Sequence, residues 1–378
     1  MICYLVETFF KRSDIVPFDE ILSIKSSQDY KSSELNLNIE ETLPSHVKSE
    51  IENIVASFYL NNSSLPSRLI TCEPPELNIN LKDSSIFHFN PRRLSFFEKD
   101  KLQTILDDLL VRNMIEPCRS EFSSLFVLIK KKNGELNKRM VKDRYPLPLI
   151  DDHLDSLRGK KCYTCIDLKD GFHHIKVAEH SQKYTSFTTP LGQFSYLRMP
   201  FGICNGPSVF QRFVNDIFKD LIKQKRIVVY FDDIVIATET IDEHLSILSD
   251  ALKLMSAHQL QIRFDKSQFL KVETIYLGYQ VSVEGIRPNP RNVSVIRDYP
   301  VPTNHKTLHS LLGLAPYFRR FIYNFSVIAK PLFDLIRKNV PFQFCIDKLN
   351  SFEQIKSKLV DRPILCFFIP KAETQLAL

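Results

Sequence analysis

The 378-residue sequence has no run of about 18 consecutive apolar residues, the length that a membrane-spanning helix needs, so no membrane partner is expected. Met1–Phe10 has neither a basic start nor a long apolar core, which argues against a secretory leader and for a protein that is not secreted. The eight cysteines (Cys3, Cys72, Cys118, Cys162, Cys165, Cys204, Cys345 and Cys366) are too scattered for a disulfide framework, which points to a reducing compartment. Cys162 and Cys165 form a C-x-x-C, but no second pair lies at zinc-ribbon spacing. The surrounding Cys-Tyr-Thr-Cys-Ile-Asp-Leu reads as a strand, so both thiols are expected as buried strand residues. The adjacent His173 and His174 cannot both point one way from a strand and are expected to be structural. There is no internal repeat and no low-complexity tract.

Apolar residues make up 44%, enough for sizeable cores, and the length suggests two or more packed subdomains. The net charge of +6 is modest, but it is concentrated. Lys130, Lys131, Lys132, Lys138, Arg139, Lys142 and Arg144 face only Glu135 and Asp143, a net of +5 over fifteen residues. Such a cluster suits a polyanionic partner, and it equally suits a solvated loop.

Helical spacing runs from Ser45 to Leu60 and stops at Asn61-Asn62-Ser63-Ser64; residues 61–92 read as loop with short extended pieces. Ser95 and Glu98 form a capping box before a helix with Leu102, Ile105, Leu106, Leu109 and Leu110 on one face. Ser124–Lys130 reads as a strand, with a hairpin turn at Asn133-Gly134 beyond it. A short helix spans 149–157, and Tyr163–Leu168 is a strand carrying Asp167 near its end. Ser181–Thr189 and Phe194–Leu197 read as paired strands. Pro207 opens a helix with Val209, Phe210, Phe213, Ile217 and Leu221 inward. A helix over 242–258, a strand or hairpin over Ile275–Val283 interrupted at Gly278, and mostly helical segments at Thr303–Leu314 and Tyr317–Phe325 complete the chain.

Between the Pro207 helix and helix 242–258 lies Ile227-Val228-Val229-Tyr230-Phe231-Asp232-Asp233-Ile234-Val235-Ile236-Ala237, two β-branched runs around adjacent carboxylates. It reads as a hairpin, and two like charges at its turn repel unless a cation or water serves both. Asp232-Asp233 alone fits an exposed polar turn as well as a metal site. Asp167, 65 residues earlier, ends another apolar strand, and a strand–helix–strand order can bring both strands side by side. Carboxylates on neighbouring strand ends are what a two-metal phosphoryl-transfer site requires.

The blocks that follow resemble one family. Leu168-Lys169-Asp170-Gly171-Phe172-His173-His174-Ile175-Lys176-Val177, Lys183–Phe187, Met199–Pro207 with Phe210-Gln211-Arg212, and Tyr230-Phe231-Asp232-Asp233 resemble the palm of reverse transcriptases. Lys142–Pro148, Tyr276-Leu277-Gly278-Tyr279 with Gly285-Ile286, and Leu311–Leu314 with Tyr317–Ile322 narrow the resemblance to the polyprotein of gypsy-type long-terminal-repeat retrotransposons, over about residues 90–370. The resemblance implies an α+β right-hand polymerase whose palm is an antiparallel sheet backed by helices. Residues 1–90 would be an N-terminal extension or linker, 91–283 fingers and palm, 284–340 thumb and connection helices, and 341–378 the start of a ribonuclease H-like domain.

The implied activity is RNA-directed DNA polymerisation, a nucleotidyl transfer from deoxynucleoside triphosphates to a primer 3′-hydroxyl on an RNA or DNA template. The implied cofactor is Mg2+, two ions, with Mn2+ as a substitute, held by Asp167, Asp232 and Asp233; the backbone carbonyl of Leu168 would also face a metal. Phe172, where the family usually has Tyr, would wall off a ribonucleotide 2′-hydroxyl. Phe201 and Gly202 would lie beside the nucleotide, Lys131 would contact the triphosphate, and Leu277, Gly278 and Tyr279 would grip the primer end. The family setting implies a cytoplasmic protein, in retrotransposon particles or the nucleus.

Two departures from the family stand out. Glu135 runs directly into Leu136-Asn137-Lys138, where the family has a further strand carrying an arginine for the triphosphate. Losing a charge-assisted contact weakens phosphate binding. The chain also stops at Gln375-Leu376-Ala377-Leu378, about where the ribonuclease H domain would reach its first catalytic Asp, which reads as a fragment of a larger polyprotein or a decayed copy. An alternative is therefore a weakened remnant that only binds nucleic acid. An RNA-dependent RNA polymerase shares the paired aspartates, but Phe172 and the flanking blocks argue against it.

Overall fold

The computed structural model describes residues 37–64, 75–83, 85–91, 93–125, 135–314, 317, 319–337 and 340–360. Lys131 and the Asn133-Gly134 turn lie outside the described residues, as do residues 361–378. The chain divides into two compact units that are discontinuous in sequence. The first takes Met1–Pro148, Ile166–Ile234 and Leu245–Ser267, the second Leu149–Cys165, Val235–His244 and Gln268–Leu378. Among the described residues, no helix is long and apolar enough to cross a membrane.

In the first unit, helix Phe96–Val111 begins where the sequence signals it. Ser95 Oγ accepts the Glu98 N–H, and the Glu98 carboxylate accepts the Ser95 N–H at 2.8 Å. Leu102, Leu106 and Leu109 are the buried face. A four-stranded sheet runs in the order Ile115–Pro117, Gly192–Tyr196, Phe187–Thr189, Ser124–Leu125, antiparallel except for the last, parallel pair. A larger sheet is not confined to this unit: in it Cys162–Lys169 neighbours Asp233–Thr238, which neighbours Ile227–Tyr230, and the first two of these strands are divided between the units. Helix Gly206–Ile217 buries Val209, Phe210, Gln211, Phe213 and Val214.

The second unit contains a three-stranded antiparallel sheet, Glu273–Tyr276, Tyr279–Ser282 and Gly285–Pro288. Its helices Pro290–Arg297, His305–Leu312, Phe325–Leu335 and Ile346–Val360 bury Ile296, Leu311, Leu332 and Leu359 among others. An Asn304–Thr307 capping box starts the second of these helices.

Local chemistry explains where the elements depart from expectation. The Ser45 helix continues to Ser64, through Asn and Ser residues that a last turn tolerates because its carbonyls are unpaired anyway. Ser181–Thr185 is helical rather than extended, and only Phe187–Thr189 is strand. There the buried Ser181 Oγ accepts the Ile79 N–H and Thr185 Oγ1 donates to the Gln182 carbonyl, bonds that close turns in place of a ladder. The Pro207 helix breaks at Phe218, so Leu221 belongs to a separate short helix, Lys219–Lys223. After Gly134 the chain enters a helix, Glu135–Arg139, instead of a return strand; Leu136 within it and Met140 just beyond its end, four apart, are both fully buried. Cys162 and Cys165 lie on their strand as expected but are half-buried. They are three apart, so they leave opposite faces.

Candidate active site

Strand Cys162–Lys169 alternates buried Tyr163, Thr164, Ile166 and Leu168 with half-buried Cys165 and Asp167. The register brings Asp167 to the end nearest the Asp-Asp turn: the Leu168 N–H donates to the Asp232 carbonyl at 2.9 Å. Asp167, Leu168, Asp232 and Asp233 are therefore brought together on adjacent strands. Leu168 is buried in the process.

The turn between Ile227–Tyr230 and Asp233–Thr238 is tight. Phe231 has φ +51°, the left-handed region, and its ring lies edge-on to Tyr230 at 4.6 Å. Asp232 Oδ1 is buried, with no hydrogen-bond partner among the described residues. Burial, reinforced by Asp167 and Asp233, pushes the Asp232 carboxyl up to about 7 against the pull of Arg263. Burial and Asp167 push Asp233 up to about 6, with Lys266 opposing. Carboxylates that resist ionisation because they are buried, and next because they lie near one another, are a poor arrangement for stability and a suitable one for a cation.

The donor set suits magnesium: all its ligands are hard oxygens, and one of them is unpartnered. Among the described residues no three metal-ligating side chains already stand converged. Asp232 Oδ1 is turned toward Gly171, where an added Cβ would lie 2.4 Å from it and 2.5 Å from Phe210 Cζ.

The chain after Asp167 makes a left-handed turn at Asp170 (φ +51°) into the short helix Gly171–His174. Asp170 pairs with Arg112 at 3.0 Å. Phe172 is half-buried, its ring 5.3 Å from Phe201 and 5.2 Å from Phe210, so these aromatics form one wall. His173 packs edge-on to Phe201 at 5.0 Å, and burial lowers its pKa to about 4. The His174 ring nitrogens face the carbonyls of Gly171 at 3.2 Å and Gln259 at 3.1 Å, a structural use of His174. Gly202 takes φ +85°, and Asn137 clips this turn, donating to the Gly202 carbonyl at 2.7 Å and accepting the Cys204 N–H at 3.0 Å.

Several residues beside the aspartates carried no role in the sequence reading. The Arg263–Ser267 turn wraps the Asp167 backbone: Asp167 N–H donates to Ser267 Oγ at 3.1 Å, and Arg263 N–H to the Asp167 carbonyl at 2.9 Å. Arg263 Nε lies 3.8 Å from Asp167 Oδ1. Two cations, Arg263 and Lys266, between apolar strands were the available signal.

Leu277, Gly278 and Tyr279 belong to the second unit. Leu277 (φ +48°) and Gly278 (φ +85°) form the two-residue turn between paired Tyr276 and Tyr279, the geometry of a tight hairpin. Tyr279 stacks on Tyr317 at 4.9 Å, with the Arg320 guanidinium 5.3 Å from its ring. Tyr317 Oη donates to the Gly278 carbonyl and accepts the Asn289 N–H at 2.9 Å.

Residues 122–281 match the family described as reverse transcriptase (RNA-dependent DNA polymerase). The chain is 39% identical over 281 residues to the retrovirus-related Pol polyprotein from transposon 297 of Drosophila melanogaster, covering 71% of this chain and 26% of the relative. It is 31% identical over 298 residues to that from transposon gypsy of the same organism, covering 72% and 28%. The chain thus spans little more than a quarter of these relatives. Among solved structures, a foamy viral protease-reverse transcriptase in complex with RNA/DNA hybrid superposes with a TM-score of 0.74 at 25% identity, over 86% of this chain and 45% of that one. The same viral protein in complex with dsDNA gives 0.77 at 24%, over 90% and 73%, a likeness of fold. Residues 122–281 are a reverse transcriptase domain of the kind carried by the Pol polyproteins of gypsy-type long-terminal-repeat retrotransposons.

Proposed function

We propose that the chain is the polymerase part of a retrotransposon Pol protein and extends a primer 3′-hydroxyl with deoxynucleotides on an RNA or DNA template. The observation that carries this reading is the buried, unpartnered Asp232 carboxylate oxygen between Asp167 and Asp233 on adjacent strands. Asp167, Asp232 and Asp233 would hold two magnesium ions; bound there, the ions would acidify the primer hydroxyl and neutralise the phosphate charge. The wall of Phe172 and Phe201, with the Gly202 turn beside it, suits the nucleotide's sugar and base. The stacked Leu277–Tyr279 hairpin suits a grip on the primer. In this reading residues 91–283 are fingers and palm and 284–340 the thumb and connection, and deoxynucleoside triphosphates are the substrate.

Purified protein is expected to extend a DNA primer on an RNA template with magnesium, and Asp232→Asn to abolish extension while leaving a folded protein. Equal incorporation by wild type and variant would remove the reading. One observation favours a second reading, a weakened remnant that binds nucleic acid without copying it: the helix Glu135–Arg139 occupies the place of the return strand after Gly134. Wild type that shifts an RNA/DNA hybrid in a gel yet extends nothing would select it.

A further inference from the structure

Among the described residues, Ile227–Tyr230 is an edge strand of its sheet, so one side of its backbone meets no neighbouring strand. The Val229 carbonyl and the Phe231 N–H, two residues apart, point to that side. One side chain takes both. Gln211, fully buried on helix Gly206–Ile217, accepts the Phe231 N–H at 2.8 Å and donates from Nε2 to the Val229 carbonyl at 3.1 Å. A primary amide offers one acceptor and two donors, so it stands in for the missing neighbouring strand.

Which end of the amide faces which group is also fixed. Its second N–H goes to Asn215 Oδ1 at 2.9 Å, and Asn215 Nδ2 donates to Tyr145 Oη at 2.9 Å. The residue held this way is the one that redirects the chain. Phe231 adopts a left-handed φ of +51°, unfavourable for a side chain with a Cβ, and Asp232 follows directly.

We propose that Gln211 is a positioning residue for the Asp232–Asp233 turn. By bonding Val229 and Phe231 it fixes the backbone from which the two carboxylates project toward Asp167, so that they meet a divalent cation in a set geometry. It touches no reacting atom. The inference rests on the reading of the three aspartates as a cation site.

The test compares wild type with Gln211→Leu, which keeps the bulk and removes all three hydrogen bonds, and Gln211→Glu, which keeps an acceptor and removes the donors. Val214→Ala, a buried truncation on the same helix, serves as a control for stability loss alone. Three quantities are measured: the Mn2+ concentration that half-saturates thermal stabilisation, and kcat and KM for primer extension. Both Gln211 variants are expected to need about tenfold more Mn2+ and to lose kcat by about tenfold or more, with KM for the nucleotide within about twofold. Val214→Ala is expected to melt lower and keep the wild-type Mn2+ requirement. Gln211 variants with wild-type Mn2+ dependence, or a Val214→Ala shift as large as theirs, would overturn the proposal. If Gln211→Leu does not fold, the Glu variant decides. Wild type that is stabilised by Mn2+ but does not extend primers removes the polymerase reading while the Mn2+ titrations still judge Gln211. Wild type with no Mn2+ stabilisation overturns both.

Discussion

Gly171 shows how little room the aspartate cluster has. An added Cβ would overlap both the Asp232 carboxylate and the Phe210 ring, and the ring, packed in the core, is the less able to move. Gly171→Ala should therefore displace Asp232 and lower the extension rate on the order of 10²-fold, the cost of misplacing a catalytic group by about 1 Å, as single-turnover kinetics would show. Charge at Asp232 gives a second prediction, with its sign set by linkage. Its folded pKa, about 7, lies above the ordinary 3.8, so without metal the folded state holds the proton more tightly. The stability that this proton provides is complete below about pH 4 and is lost as pH rises through 7. Asp232→Asn, in a chelator, should then melt higher than wild type at pH 8, by on the order of a few kcal/mol, and the gap should close by pH 4. Wild type melting equally at both ends of that range relative to the variant would contradict the burial of the Asp232 carboxyl beside Asp167 and Asp233.

Elements fail or hold through a few buried polar contacts. In the second unit, fully buried His244 joins its helix to two strands: Nε2 faces Thr164 Oγ1 at 2.6 Å and Nδ1 faces Thr238 Oγ1 at 2.9 Å. Thr238 donates its own proton to the Thr240 carbonyl, so it accepts from Nδ1–H; Thr164, which accepts the Leu270 N–H, donates to Nε2. This chain of bonds needs the neutral ring, and burial lowers the His244 pKa to about 4. The folded pKa lies below the ordinary 6.5, so the contribution is whole above that value and is lost as pH falls toward 4. His244→Gln should flatten the acid limb of a pH–stability curve measured by denaturant unfolding. The hairpin at Leu277-Gly278 depends on Tyr317 in the same way. Tyr317→Phe leaves the Gly278 carbonyl and the Asn289 N–H without their hydroxyl partner and should cost about 1–3 kcal/mol, with weaker primer binding read by fluorescence anisotropy.

For the whole molecule, the two compact units cut across the order of the chain, because strands Cys162–Lys169 and Asp233–Thr238 each pass from one unit to the other. In the proposed function, a net charge of +6 with a local +5 stretch would make binding to a nucleic-acid backbone dependent on counterion release. Affinity for an RNA/DNA hybrid should fall by about tenfold or more between roughly 50 and 200 mM salt. A flat salt response would mean that the basic stretch does not meet phosphate.

Periodicity, caps and motif order in the sequence determined the elements around the site: the Ser95–Glu98 cap, the Pro207 helix, the Asp-Asp hairpin and the turn at Gly278 all lie where local chemistry puts them. Local signals read less well where side chains compete with the backbone, as at Ser181–Thr185, or where burial of Leu136 and Met140 turns a short segment into helix. Only the tertiary structure decided which groups surround the aspartates. Arg263, Ser267 and Gly171 reach them through strand register, and Gln211 reaches Phe231 because the edge of a sheet must be bonded by whatever the next layer presents. Residue type and spacing specify that a carboxylate turn exists; what neutralises and fixes it depends on contacts far apart in the chain.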